Sequence, residues 1–282
     1  MKRINTVVIY GVGLIGGSLG KAFIKKHLAR KVIGIGRNVQ KLKKAVREKA
    51  IIEFSTDFKR IKEADLVILA TSVIHIEKTL KKISPFLKDG CLVTDVGSTK
   101  ERIVNVASKF LRRKIYFVGS HPIAGSEKSG VDFSSAELFK GSVCVLTPTK
   151  NTNKDALKVI RNLWEKLGAK VIITRPKEHD EIIALTSHLP HFIACALVLL
   201  ISKDKKNLFS MIGKGFKDTT RIAGSNPEIW SEIAISNKKN ISCNIKNFLK
   251  IIKKINNSLN KNNVKNLKKL FLKAKSIREK IY

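Results

Sequence analysis

The sequence predicts an α/β fold in two parts: a doubly wound, mostly parallel sheet over residues 1–174 and an all-helical segment over residues 175–282. Three observations carry this. Short β-branched runs alternate with amphipathic stretches through the first part, the pattern of parallel strands joined by crossover helices. The strand signal ends at Arg175-Pro176. Beyond it, apolar residues recur at helical spacing, as at Ile241, Ile245, Phe248, Ile252, Ile255 and Leu259.

Taken in order, strands are expected at residues 6–10, 31–35, 66–70, 91–95 and 115–118, with helices after Leu14, Asn38, Ile74, Thr99 and Asn153. Strands at residues 142–146 and 171–174 extend the sheet. Residues 192–201 are apolar throughout, but ten residues fall short of the roughly 20 that span a bilayer, so a buried helix is expected and no membrane partner. The first 20 residues have a basic start, yet their five glycines suit a phosphate-binding turn better than a cleavable signal.

Composition narrows the function classes. Among 282 residues, 56 Lys and Arg face 22 Asp and Glu, a formal net charge of +34, and 43% are hydrophobic, which excludes a disordered chain. The basic residues are spread along the whole length, and from Asn237 onward 14 Lys or Arg and ten Asn accompany the single acid Glu279. No aromatics interleave with them as stacking platforms for single-stranded nucleic acid would require, so no nucleic-acid partner is expected. Such a field suits attraction of small anions better. Cys91, Cys144, Cys195 and Cys243 form no C-x-x-C pair, which argues against zinc and disulfides and for a reducing cytoplasm.

The first strand runs directly into Gly11-Val12-Gly13-Leu14-Ile15-Gly16, with a helix after it and a second strand about 20 residues on. In that context the glycines mark a Rossmann-like dinucleotide-binding domain. Gly11 permits the tight turn, Gly13 lets backbone approach a pyrophosphate, Gly16 lets helix and strand pack closely, and the amides from Leu14 and Ile15 bind the anion. The second strand ends Gly34-Ile35-Gly36-Arg37. An NAD-binding fold usually places a carboxylate there for the ribose 2′-hydroxyl, whereas Gly36 leaves room and Arg37 can pair with a 2′-phosphate. NADP is therefore favoured, with NAD possible.

Four polar clusters fall where strand ends or a second domain could present them: Asp95-Val96-Gly97-Ser98-Thr99-Lys100; residues 119–130 around His121-Pro122-Ile123-Ala124-Gly125; Glu178-His179-Asp180 with Ser187-His188-Leu189-Pro190-His191; and Lys217-Asp218-Thr219-Thr220-Arg221. Taken singly, each residue has a plain structural reading as a cap, a loop histidine or a surface ion pair. No H-E-x-x-H pattern supports a metal, and no G-x-S-x-G setting supports a serine nucleophile.

With the glycine motif, these clusters in this order resemble the prephenate and arogenate dehydrogenase family of tyrosine biosynthesis, over about residues 5–235, and Trp230 also fits. The resemblance implies an oxidoreductase that removes hydride and carbon dioxide from a cyclohexadiene, with an all-helical dimerisation domain; the long apolar helix from Glu178 to Ile201 and the apolar tail helices suggest a homodimer through it. His121 would accept the substrate hydroxyl proton and Ser98 would orient that pair. Arg221 would clamp a carboxylate, with His191, Ser187, Lys217 and Ser126 lining the pocket, Glu127 gating it, and Thr71 beside the nicotinamide. Ser126 stands where some relatives have Thr, Lys217 where Arg is frequent, and Thr71-Ser72-Val73 replaces a common Thr-Pro-Val. The monofunctional form is expected, acting on prephenate, with arogenate as the nearest alternative. A β-hydroxyacid dehydrogenase and an inactive nucleotide-binding regulator are the more distant ones.

Overall fold

The computed structural model describes residues 4–125, 128–202 and 208–281. Eight strands form one sheet: β1 (Ile4–Tyr10), β2 (Ala29–Ile35), β3 (Glu53–Ser55), β4 (Leu66–Leu69), β5 (Leu92–Asp95), β6 (Tyr116–Ile123), β7 (Val143–Thr147) and β8 (Lys170–Ile173), in the order β3-β2-β1-β4-β5-β6-β7-β8. The six from β3 to β6 are parallel, β7 runs antiparallel to β6, and β8 is parallel to β7. Helices α1 (Leu14–Lys25), α2 (Val39–Arg47), α3 (Val73–Ile83), α4 (Glu101–Phe110) and α5 (Lys154–Lys166) cover its faces.

The central strands bury both faces, as parallel strands between helices must. Val7 and Ile9 of β1 pack with Leu19 and Phe23 of α1 and Ile160 and Trp164 of α5, while Val8 joins Ile76 and Leu80 of α3 and Ile103 and Ala107 of α4. Two elements depart from the sequence reading. The three-residue β3 was not anticipated, because so short an edge strand has no periodicity to show. The strand expected to stop at residue 118 continues to Ile123, because β7 pairs with its second half and sets His121 opposite Val145.

Past β8 the chain is helical: α6 (Pro176–Ile183), a π turn (Ala184–His188), α7 (Leu189–Ile201), α8 (Lys214–Thr220), α9 (Pro227–Ser236), α10 (Lys238–Asn260) and α11 (Val264–Glu279). The π turn sits directly before Pro190, whose ring cannot share an α turn with the carbonyl four residues earlier. Sheet gives way to helix at the expected place near residue 175. By contacts, however, the chain groups into units 4–237 and 238–281 among the described residues, because Ile233 and Trp230 of α9 pack into the core under α3 and α4. The second unit is α10 and α11 packed together, with Asn263 capping α11 through the Asn266 amide at 2.9 Å.

The run Pro176–Ile201 is, among the described residues, the helix long and apolar enough by length and composition to cross a membrane. It corrects the expectation that residues 192–201 are buried: only 33% of its apolar window is buried, and Leu199 and Leu200 are 63% and 65% exposed. Its first turns carry Glu178, Asp180 and Glu181, and Asp180 is bonded to the start of α4, so this end belongs to the sheet unit and not to lipid.

Candidate active site

In a doubly wound sheet the site lies beyond the carboxyl ends of the strands, where the strand order reverses; here that is between β1 and β4. Gly11 has φ +97°, and a Cβ there would lie 2.7 Å from the Thr71 methyl and 2.8 Å from the Ala70 carbonyl. A Cβ on Gly16 would lie 2.1 Å from the Gly11 carbonyl, so α1 can start this close to β1 only with glycine. At Gly13 a Cβ would meet nothing within 4 Å, and no side chain caps α1. The amides of Leu14, Ile15 and Gly16 at the start of α1 therefore have no protein capping group, and the Thr71 hydroxyl is buried without a partner among the described residues. An anion-bearing dinucleotide fits this cradle.

Next to it, Tyr10, Arg37, Thr71, His75, Lys78 and Lys82 line a cleft of about 340 Å³. Arg37 is exposed at the end of β2, and among the described residues no carboxylate lines the cleft.

A second group of polar side chains joins β5, β6 and α6. Asp95 and Lys100 are fully buried and paired. Asp95 also accepts the Gly97 amide at 2.9 Å and the Ser120 amide at 3.2 Å, while Lys100 Nζ donates to the Ser120 carbonyl at 2.9 Å. Burial pushes Asp95 up and Lys100 down from their ordinary values. This pair fixes the strand one residue before His121. The Asp95 and Lys100 of the first cluster are thus framework, while Ser98 lies half-exposed in the turn they hold.

Among the described residues no hydrogen bond links Ser98 to His121. The ring partner of His121 is His179, with Nδ1 of the first 2.9 Å from Nε2 of the second. His179 Nδ1 lies 2.8 Å from Asp180 Oδ1, and Asp180 in turn accepts the amides of Lys100 at 2.7 Å and Glu101 at 3.0 Å. Burial holds His121 well below the usual histidine range, and His179, Lys100 and His188 push it the same way. The sequence placed His179 and Asp180 in a candidate cluster but assigned them no task; nothing in the chain spacing signals that residues 58 apart share a proton.

From Asp180 the contacts continue toward the fourth cluster. Asn237 donates to the Asp180 carbonyl at 2.7 Å and lies 3.4 Å from His188 Nδ1. His188 meets Trp230 edge-on, and Trp230 stacks flat on His191, ring centroids 3.5 Å apart. α7 packs on the Arg221–Gly224 turn, with the Ile222 main chain beside His191. Burial lowers His188 to about 4, against the pull of Asp180, and burial also lowers His191. Arg221 and Lys217 are exposed.

Ser187 and His191, four residues apart, would share one face of an α-helix; the π turn changes the phase between them, leaving Ser187 exposed and His191 buried. Ser126 and Glu127 lie outside the described residues.

Comparison with known proteins gives one answer. The family model for the prephenate dehydrogenase nucleotide-binding domain matches residues 19–173, and that for the prephenate dehydrogenase dimerization domain matches residues 175–273. Prephenate dehydrogenase of Bacillus subtilis is 35% identical over 284 residues, covering 98% of this chain and 76% of that protein. The crystal structure of prephenate dehydrogenase from A. aeolicus, in complex with hydroxyphenyl propionate and NAD+, matches with a TM-score of 0.93 at 35% identity, over 99% of each chain. Synechocystis arogenate dehydrogenase matches with a TM-score of 0.84 at 29% identity, over 98% of this chain and all of that one. The chain belongs to the prephenate dehydrogenase family.

Proposed function

We propose that this protein oxidises prephenate to 4-hydroxyphenylpyruvate and carbon dioxide, with hydride transfer to a nicotinamide dinucleotide. The observation that supports it most is the placement of His121 beyond the carboxyl end of β5, its ring bonded to His179 at 2.9 Å and pushed by burial below the usual histidine range, in a chain of this family. The bound nicotinamide supplies the hydride acceptor; what the protein must add is a proton acceptor, a clamp for a dicarboxylate and exact placement. His121 takes the proton of the ring hydroxyl as the carbonyl develops, with Ser98 on the same hydroxyl. Arg221 holds a carboxylate through its planar fork, and His191, Ser187 and Lys217 line the far end of the pocket. Loss of the ring carboxylate and aromatisation then make the step irreversible.

NADP is the preferred cofactor in this reading. Arg37 stands where a ribose-binding carboxylate would, and Lys78 and Lys82 share its cleft. These residues would hold the adenine-ribose end of the cofactor, Gly11, Gly13, Leu14, Ile15 and Gly16 would take its pyrophosphate, and Thr71, between the two, would face its nicotinamide side. The four cysteines are free, which suits a reducing cytoplasm.

One absorbance assay with four arms tests the reading: prephenate or arogenate, each with NAD or NADP. Prephenate with NADP is expected to give the highest kcat/KM. A preference for arogenate, or for NAD, overturns the corresponding assignment.

A further inference from the structure

His121, His179 and Asp180 form a hydrogen-bonded line that the reaction as described leaves unused. Its polarity is fixed from one end. Asp180 accepts two backbone N–H groups, from Lys100 and Glu101, at the positive N-terminus of α4, so what it presents to His179 Nδ1 is an acceptor. His179 Nδ1 must then carry a hydrogen. In a neutral ring this leaves only a lone pair at His179 Nε2, and that lone pair can meet His121 Nδ1 at 2.9 Å only if His121 Nδ1 carries its hydrogen too. The one lone pair left at the outer end of the line is His121 Nε2. The rings cross at 70° with centroids 5.1 Å apart, an edge-on approach that suits an in-plane N–H to N bond rather than stacking.

We infer that His179 and Asp180 are positioning residues for the reaction, holding His121 in the tautomer whose Nε2 is bare and facing outward as proton acceptor. The inference deepens the proposed function and rests on its assignment of the hydroxyl proton to His121. The line also has an energetic role. When His121 Nε2 gains the proton, its Nδ1–H bond to His179 strengthens, and the Asp180 carboxylate stabilises the positive charge through His179. That aid, which a neutral His179 gives and a charged one would reverse, is needed because His121 is desolvated and also faces Lys100, ahead of α4, and His188, in the π turn, both of which oppose an imidazolium. The three residues come from β6 and α6, so the helical segment supplies the orientation of a group carried by the sheet.

Nitrogen-15 spectra of the full-length protein labelled at histidine read the tautomer directly. His121 is expected to show a protonated Nδ1 and a bare Nε2. In assays with prephenate and NADP, His179→Ala should lower kcat about 10- to 100-fold, as is typical of groups that orient a functional residue from behind, with KM changed less than about 2-fold. His179→Gln, whose amide oxygen can accept from His121 Nδ1, should recover most of that loss. Asp180→Asn should lower kcat as His179→Ala does, and the double variant should lose no more than either single one. A His121 ring protonated at Nε2, or wild-type kcat in His179→Ala, overturns the inference. If a variant fails to fold, the wild-type spectrum still decides. Failure of the underlying reading looks different: His121→Asn would then turn over normally whatever tautomer the spectra report.

Discussion

A histidine that must take a proton works only while it is neutral, and three of the histidines here are held neutral by burial. His188 shows the consequence most plainly, lowered to about 4 from an ordinary 6.5, with His121 and His191 lowered as well. The unfolded chain takes up these protons near pH 6.5, whereas folded His188 does so only near pH 4, so the unfolded state binds more protons in between. Native stability is therefore expected to fall as pH drops from about 6.5 toward 4, below which the His188 contribution levels off. Thermal unfolding at pH 7.5 and pH 5 should show the lower Tm at pH 5; an equal or higher Tm would mean these rings are charged or exposed. Arg221 gives a prediction of another kind. Holding the departing carboxylate too tightly before reaction would oppose its loss, so Arg221→Ala is expected to raise KM for prephenate more than it lowers kcat. A fall in kcat at unchanged KM would place the guanidinium in the chemical step. The motifs that carry His121 and Arg221 stand out in the sequence because each is short and contiguous. His179 was not, since its role exists only once β6 and α6 are side by side.

Elements place these residues, and their placement depends on a few close approaches. The tightest at the cofactor end is Gly16, where a Cβ would stand 2.1 Å from the Gly11 carbonyl, a main-chain atom with no rotamer to yield. Gly16→Ala must push α1 off β1, at a cost of about 1–3 kcal/mol in stability and with loss of the amide cradle. A lower Tm together with cofactor binding weakened at least about 10-fold is the expected result of unfolding and titration experiments. Tight cofactor binding in the folded variant would show that the cradle is elsewhere. The strand–turn–helix at residues 4–25 was legible because its signals are local: a β-branched run, three spaced glycines and an amphipathic stretch. The second half of β6 was not legible, because its pairing with β7 is a contact made across more than 20 residues. Nor was the π turn, whose only trace in the sequence is Pro190, and which decides that His191 is buried while Ser187 is exposed.

At the scale of the whole molecule, each of the two units carries exposed apolar side chains. In the first unit Leu185, Leu199 and Leu200 are exposed along the Pro176–Ile201 run, and in the second unit Leu249, Ile252, Phe271 and Leu272 are. Exposed apolar patches of this kind mark interaction surfaces, and the segment falls within the match to the dimerization domain. A homodimer is the expected species in sedimentation at micromolar concentration, and Leu199→Glu with Leu200→Glu should shift it toward monomer; a wild-type monomer would contradict this. The net charge of +34 draws anionic substrate and cofactor toward the protein, an effect that added salt screens. The central claim, however, rests on one imidazole. The most direct test is prephenate turnover by the wild type and by His121→Asn, followed as reduced nicotinamide. The account predicts robust turnover by the wild type, and in the variant a kcat lower by about two to four orders of magnitude with cofactor affinity intact. No prephenate turnover by the wild type, or an unimpaired His121→Asn, would contradict it.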